Sequence, residues 1–211
     1  MTELLISTIA QGLQWSILAL GVFLTFRVLD IADLSVEGSF PLGAAVAATA
    51  ISSGCGFVAA FLLALVAGAL AGAVTGFLTT KLKIPALLAG ILTMIGLYSI
   101  NLHVMGKANI SLLQDETIFT WLEQATGLSS VWVACLIGFI VTAIVVNYIY
   151  WFFGTELGTA IRATGFNPQM ARAQGINTNM MVVLGLVISN ALVALSGAVV
   201  AQNNGLSLIH I

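Results

Sequence analysis

Charge is what this sequence lacks most. Six lysines and arginines and eight aspartates and glutamates make up 7% of its 211 positions, while hydrophobic residues make up 60% and mean hydropathy is +1.10. Soluble domains carry charge at roughly 25% of positions, so these few groups cannot coat a water-facing surface. A soluble enzyme, a disordered chain and a nucleic-acid binder with its basic face are all excluded. Cysteine is almost as scarce. Cys55 and Cys135 are too few for a disulfide scaffold and lack metal-site spacing. No P-loop (GxxxxGK followed by Ser or Thr) occurs, which removes ATP hydrolysis by that route. The alternation of barrel strands is missing too. The composition therefore gives an all-α integral membrane protein, whose helices satisfy their own backbone hydrogen bonds, with no cofactor or metal expected.

Long neutral blocks separate the few charges. They run from Leu4 to Phe26, Gly38 to Thr80, Ile84 to Gly106, Gln124 to Thr155 and Ala173 to the end. One crossing needs about 20 apolar residues, so the block from Gly38 to Thr80 holds two, divided at Ser52-Ser53-Gly54-Cys55-Gly56. Six helices are predicted, near 4–26, 34–51, 57–80, 84–106, 130–153 and 178–201. Alternate connections then share a side. Arg27, Lys81, Lys83, Arg162 and Arg172 fall on one side and only Lys107 on the other. This bias puts the first set in the cytoplasm and the N-terminus outside. The first helix has no basic start of the kind a cleaved signal peptide carries.

Several residues stand out within this frame. Ala64, Gly68, Gly72 and Gly76 repeat at four-residue spacing and make a flat stripe, read as a helix-packing face. Arg27, Asp30, Asp33 and Glu37 place four charges within eleven residues, with Ser35 among them and Pro41 just beyond. Two readings stay open: a hydrated cytoplasmic loop, or a broken second helix whose polar residues line a path through the protein. The three carboxylates lack any metal-ligand signature. The outer connection from Lys107 to Ser129 reads as a short interfacial helix anchored by Trp121. Cys55 and Cys135 both fall near the outer surface, where a disulfide is conceivable, and are read first as buried free thiols, and His103 as a packed or interfacial residue.

The longest cytoplasmic segment, GTELGTAIRATGFNPQMARAQGIN over 154–177, mixes apolar positions with Glu156, Arg162 and Arg172. Asn167-Pro168 opens a short helix, and Gly175 suits a helix exit with positive φ. Two short amphipathic helices on that face exceed what a tether needs.

This segment resembles the cytoplasmic coupling loop of permease subunits of bacterial ABC importers in the branched-chain amino acid and ribose transporter family. LDIADLSVEGSFPLGAAVAA is similar to that family's broken second helix, and KIPALLAGILTM to another recurring piece. The likeness extends over most of the chain from Gln11 to Ala201. Asp30 and Asp33 look closer to a branch carrying amino acids, aromatic ones included, than to the sugar branch. The resemblance implies a multi-pass subunit of the bacterial inner membrane that is not itself an enzyme. It implies a separate cytoplasmic ATPase subunit, an external solute-binding protein and a second permease copy or a homologous permease as partners. Glu156, Gly158, Ile161, Arg162, Asn167, Pro168, Ala171, Arg172, Gly175 and Ile176 would couple to the ATPase. Asp30, Asp33, Ser35 and Glu37 would line or gate the path. Transport would follow alternating access. The rivals are an ion-coupled secondary transporter using Asp30, Asp33 or Glu37, and a membrane scaffold without transport.

Residues 1–205 are taken as a partial permease domain. Residues 206–211, Leu-Ser-Leu-Ile-His-Ile, resemble a translation of a transposon end used in preparing sequencing libraries. They are expected to be foreign, with no role for His210, and the chain to be a C-terminally truncated fragment incapable of transport alone.

Overall fold

The computed structural model describes residues 2–106, 109–112, 117–127 and 129–208. Lys107 and residues 209–211, His210 among them, lie outside the described residues. The order of elements is α1 (Thr2–Phe23), a π-helical turn (Leu24–Val28), α2 (Val36–Ser52), α3 (Phe57–Thr80) and α4 (Ala86–Met105). Then come β1 (Asn109–Ser111), α5 (Ile118–Thr126), α6 (Ser130–Phe153), α7 (Glu156–Phe166), α8 (Pro168–Ala173), α9 (Thr178–Asn204) and β2 (Leu206–Leu208). The chain is an all-α polytopic bundle, with β1 and β2 pairing antiparallel as a small ribbon, Asn109 opposite Leu208. Five helices are long and apolar enough to cross a bilayer: α1 with its π-turn, α3, α4, α6 and α9. The remaining long helix, α2, has 17 residues, of which 12 are buried.

Neighbour contacts fix the direction of each helix. Ala64 shares a cluster with Ala198, and further along α3 the glycines meet earlier and earlier residues of α9: Gly68 meets Ala194 and Asn190, Gly72 meets Leu186, and Gly76 meets Val183. These two helices are antiparallel. By contrast α2 runs parallel to α9, with Ser35 near Asn190 and Ala47 in the cluster of Ala198. Along α1, Ala10 clusters with Val199, Gln14 accepts from Ser196 and Gly21 accepts from Ser189, again antiparallel to α9. Parallel contacts join α1 to α6 through Leu13–Gly138 and Ile17–Val145. They also join α2 to α4 through Gly38–Leu97 and Ala45–Met105. Taken in sequence order, α1, α2, α3, α4, α6 and α9 therefore alternate in direction.

Small residues decide who sits at the centre. A β-carbon on Gly72 would collide with the Leu186 carbonyl, and one on Gly43 with the Ala194 carbonyl. Backbones this close gain dispersion contacts that bulkier side chains would prevent, which is the main attraction available between helices in lipid. As a result α9 is the most buried of the five long apolar helices, and in the others about a third or less of the residues in the most apolar stretch are buried. Their outer faces carry Leu62, Val66, Leu70 and Phe77 on α3, and Phe139, Ile144 and Trp151 on α6. Such faces suit acyl chains and would be untenable in water.

The chain breaks between α1 and α2, not inside α2. Leu29 N–H reaches back to the Leu24 carbonyl and Ile31 N–H to that of Thr25, so α1 widens into a π-turn and unwinds. Asp30 then takes φ 55°, a left-handed conformation that Asp tolerates better than most residues. Pro41 stays inside a continuous α2, although it cannot donate to the carbonyl of Glu37.

At the end opposite the break, α5 is capped by the reciprocal bonds of Thr117 and Thr120. Trp121 stands half exposed against Phe57. Both cysteines are free thiols, but Cys55 is exposed instead of buried and Cys135 is half-buried; the tip between α2 and α3 has nothing packed over it. His103 is exposed on α4.

Candidate functional site: a buried polar break beneath an exposed helical elbow

Unwinding the chain at 29–35 frees backbone groups in an apolar bundle, and each needs a partner. Asp33 supplies one. Its Oδ1 accepts from the Ser35 N–H at 2.8 Å, and its Oδ2 accepts from Asn190 Nδ2 at 2.9 Å. Asn190 Nδ2 also donates to the Leu186 carbonyl, and its Oδ1 accepts from the hydroxyls of Ser35 and Ser39. All four side chains are buried, Asp33 to 1% exposure. The network pins the start of α2 to the middle of α9. Gly90 on α4 closes it from the far side, because a β-carbon there would meet the amides of Leu34 and Ser35.

The acidic residues do not act together. Asp33 is held in this network. Asp30 lies exposed in a surface hollow lined also by Arg27, Arg162 and Gly165. Glu37 is exposed in a different cavity, of about 770 Å³, between α1, α2 and α4. Among the described residues, no three His, Cys, Asp or Glu side chains come together as a metal cage would require.

The second half of the site is the elbow formed by α7 and α8. Thr155 caps α7 by accepting from the Gly158 N–H, and Asn167 caps α8 through the amides of Gln169 and Met170. Pro168 occupies the first turn of α8, where its missing N–H costs nothing. Gly175, at φ 84°, ends the elbow, and Ile176 packs back on the bundle. One face of the elbow is anchored. Ile161 is fully buried with Leu24, Leu29, Phe152 and Met181, and Ala171 is buried as well. Gly158 sits against the Phe152 carbonyl, where a β-carbon would not fit. Arg162 donates to the Phe153 carbonyl and lies 5.4 Å from that ring's centroid, while Arg172 Nε donates to Thr178 at 2.7 Å. Glu156 is exposed at the start of α7. The other face is open: Leu157, Phe166 and Met170 are exposed, Phe166 at 92%.

Elbow and break touch directly. Gly165 packs on the Val28 carbonyl and the Leu29 Cα so closely that no side chain would fit. Leu29 in turn packs on Gly185 of α9. The end of α7 thus lies against Leu29, four residues before Asp33.

Of the residues singled out in the sequence, Asp33 and Ser35 come together, Asp30 and Glu37 stand apart, and the small-residue stripe faces α9. Sequence reasoning missed Ser39, Asn101, Gly165, Phe166 and Asn190. A signal existed for Asn190, a lone amide in the apolar run from Met180 to Ala201, since polar side chains at that depth face protein interior.

The family model described as "Branched-chain amino acid transport system / permease component" matches residues 4–208. A tyrosine transport system permease protein of Clostridioides difficile is 41% identical over 206 residues, covering 98% of this chain and 67% of that protein. An uncharacterized protein of Rickettsia prowazekii, RP368, is 35% identical over 208 residues, covering 99% of this chain and 71% of that one. No solved structure matches. With bundle, break and elbow in place, the chain belongs to the family of branched-chain amino acid transport permease components and is a multi-pass membrane protein of the transporter class.

Proposed function

We propose that this chain is the membrane-spanning permease subunit of an ATP-driven importer that moves an amino acid or related small solute inward. The observation that carries this reading is the elbow. It leaves the bundle with an apolar tip at Phe166 and Met170, yet it is locked against Val28, the last residue of the π-turn, and the unwound Leu29. An apolar tip beyond the membrane-crossing helices suits a groove on a separate ATPase subunit. A rigid root suits passing that subunit's motion into the bundle.

In this reading the six alternating helices all cross the bilayer with the N-terminus outside, and the elbow lies in the cytoplasm with Arg27, Lys81, Lys83, Arg162 and Arg172. Gly158, Ile161, Ala171, Gly175 and Ile176 hold the elbow on the bundle, while Glu156, Arg162, Asn167, Pro168 and Arg172 shape and cap it. ATP-driven closure pulls on α7, Leu29 shifts against Gly185, and the network of Asp33, Ser35, Ser39 and Asn190 transmits or resists the tilt of α2 against α9. Asp30 and Glu37 flank the path at two depths. An external binding protein delivers solute, and a second permease copy completes the path. An amino-acid cargo is supported by the relative named for tyrosine transport. Ion coupling through the acidic residues is disfavoured by their separation into three surroundings.

Uptake of labelled tyrosine by cells carrying the whole transporter tests the proposal. It should persist when a protonophore collapses the membrane potential and stop when ATP is depleted. The opposite dependence would favour a secondary transporter.

A further inference from the structure

We infer that the cavity between α1, α2 and α4 is an amine-recognition site, which holds the ammonium group of an aromatic amino acid at mid-depth in the membrane. The inference rests on the transport reading above and deepens it by naming the chemistry of the cargo.

Depth comes first. Gly38, next to Glu37 on the first turn of α2, packs on Met94 and Leu97, halfway along α4 (Ala86–Met105). Phe40 stacks on Trp15 with ring centroids 5.3 Å apart, and Trp15 lies halfway along the span Glu3–Val28. Glu37 therefore opens into the cavity near the bilayer midplane, where an ionisable side chain is expensive and marks function. The residues lining the cavity include no lysine or arginine. The chain puts a carboxylate at the most costly depth and offers it no cation there.

A second polar side chain belongs to the cavity wall. Asn101 lines the cavity and is 2% exposed; among the described residues its Oδ1, itself sealed from solvent, has no hydrogen-bond partner, and its Nδ2 donates to the Gly38 carbonyl at 3.5 Å. Buried side-chain oxygens without a donor are uncommon because desolvation is then uncompensated. A carboxylate that opens into a cavity with no cation among its lining residues calls for a ligand that brings a positive charge and hydrogen-bond donors. A primary ammonium brings three donors. The remaining walls are apolar, and three of their residues, Trp15, Phe40 and Tyr98, are aromatic and suit the ligand's ring by stacking and its charge by cation–π attraction. A volume of about 770 Å³ lies within the usual range for small-molecule sites.

The test uses the permease with its partner subunits in lipid nanodiscs, titrated with three probes that share one ring: tyrosine, tyramine and 3-(4-hydroxyphenyl)propanoate. Quenching of tryptophan fluorescence is read, with Trp15→Phe identifying the reporting residue. Tyrosine and tyramine should bind at least tenfold more tightly than the amine-free acid, a comparison that needs no variant. Glu37→Gln should bring tyrosine down to the level of the amine-free acid. Equal binding of all three probes, unchanged tyrosine binding in Glu37→Gln, or no Trp15-dependent quenching would overturn the site. Amine-selective quenching in a transporter whose tyrosine uptake persists after ATP depletion would support the site while sinking the ATP-driven reading.

Discussion

Two regions of this molecule break the rule that polar groups face water and apolar groups face the interior, and they break it in opposite senses. At the α1–α2 break, Asp33, Ser35, Ser39 and Asn190 are buried and spend their hydrogen-bonding capacity on one another and on unwound backbone. At the elbow, Phe166 and Met170 are apolar and stand exposed. The first arrangement is a closed account in which every group has its partner, so it fixes α2 on α9. The second leaves apolar side chains uncovered, the surface proposed as the seat of an ATPase subunit. Because Gly165 joins the two, the difference separates, in the proposed reading, the part that holds the bundle's shape from the part that would receive a push.

The comparison is broken most severely at its joint. Gly165→Val forces a β-carbon into the Val28 carbonyl, and backbone cannot yield as a side-chain tip would. Overpacking costs typically 1–3 kcal/mol, occasionally more, and here relief comes from lifting α7 off Leu29. Uptake should fall at least tenfold while the variant still reaches the membrane in normal amount, measured by transport and by quantitative blotting. Wild-type uptake would show that elbow and break need not touch.

Asn190→Leu tests the closed region. It removes the donor to Asp33 Oδ2 and the acceptor for two serine hydroxyls. Leaving buried groups unsatisfied costs about 1–3 kcal/mol, and more for a charged one. The purified variant should melt at lower temperature than wild type, and Ser39→Ala should show a smaller drop. A melting curve that does not move would mean the network contributes nothing to holding α2.

Gly175→Ala is the mildest change. The position holds φ 84°, where an L-residue is strained by of order 1 kcal/mol, and no atom lies near enough to crowd the added methyl. Thermal stability should fall by no more than that, and ATP consumed per solute moved should rise modestly. A twofold or smaller change is expected, against the tenfold loss at Gly165.

Much of this was legible in the sequence because it depends on local composition. The limits of α3 and α6 follow from neutral blocks bounded by polar turns, and the α3 packing face from a four-residue repeat of small side chains. Asn167-Pro168 and Gly175 announced the elbow because proline and glycine restrict the backbone wherever they occur. What escaped is long-range. That Gly165 meets Val28, and that Asn190 meets Asp33, depends on where the helices stack. Glu37 and Asp33 look alike four residues apart in sequence, yet one opens into a cavity and the other is sealed. The break was placed within the second helix on account of Pro41, but α2 tolerates that proline, and the unwinding falls at 29–35 where Asp30 can adopt positive φ.

The central claim, that the elbow is the seat of a separate ATPase subunit, is tested most directly at its most exposed apolar residue. A photoreactive phenylalanine analogue in place of Phe166, illuminated in cells carrying the whole transporter, should yield a single protein adduct containing an ABC-type ATPase subunit. The same analogue in place of Phe139, on the outer face of α6, should yield none. Crosslinks from position 166 to lipid alone would contradict the account.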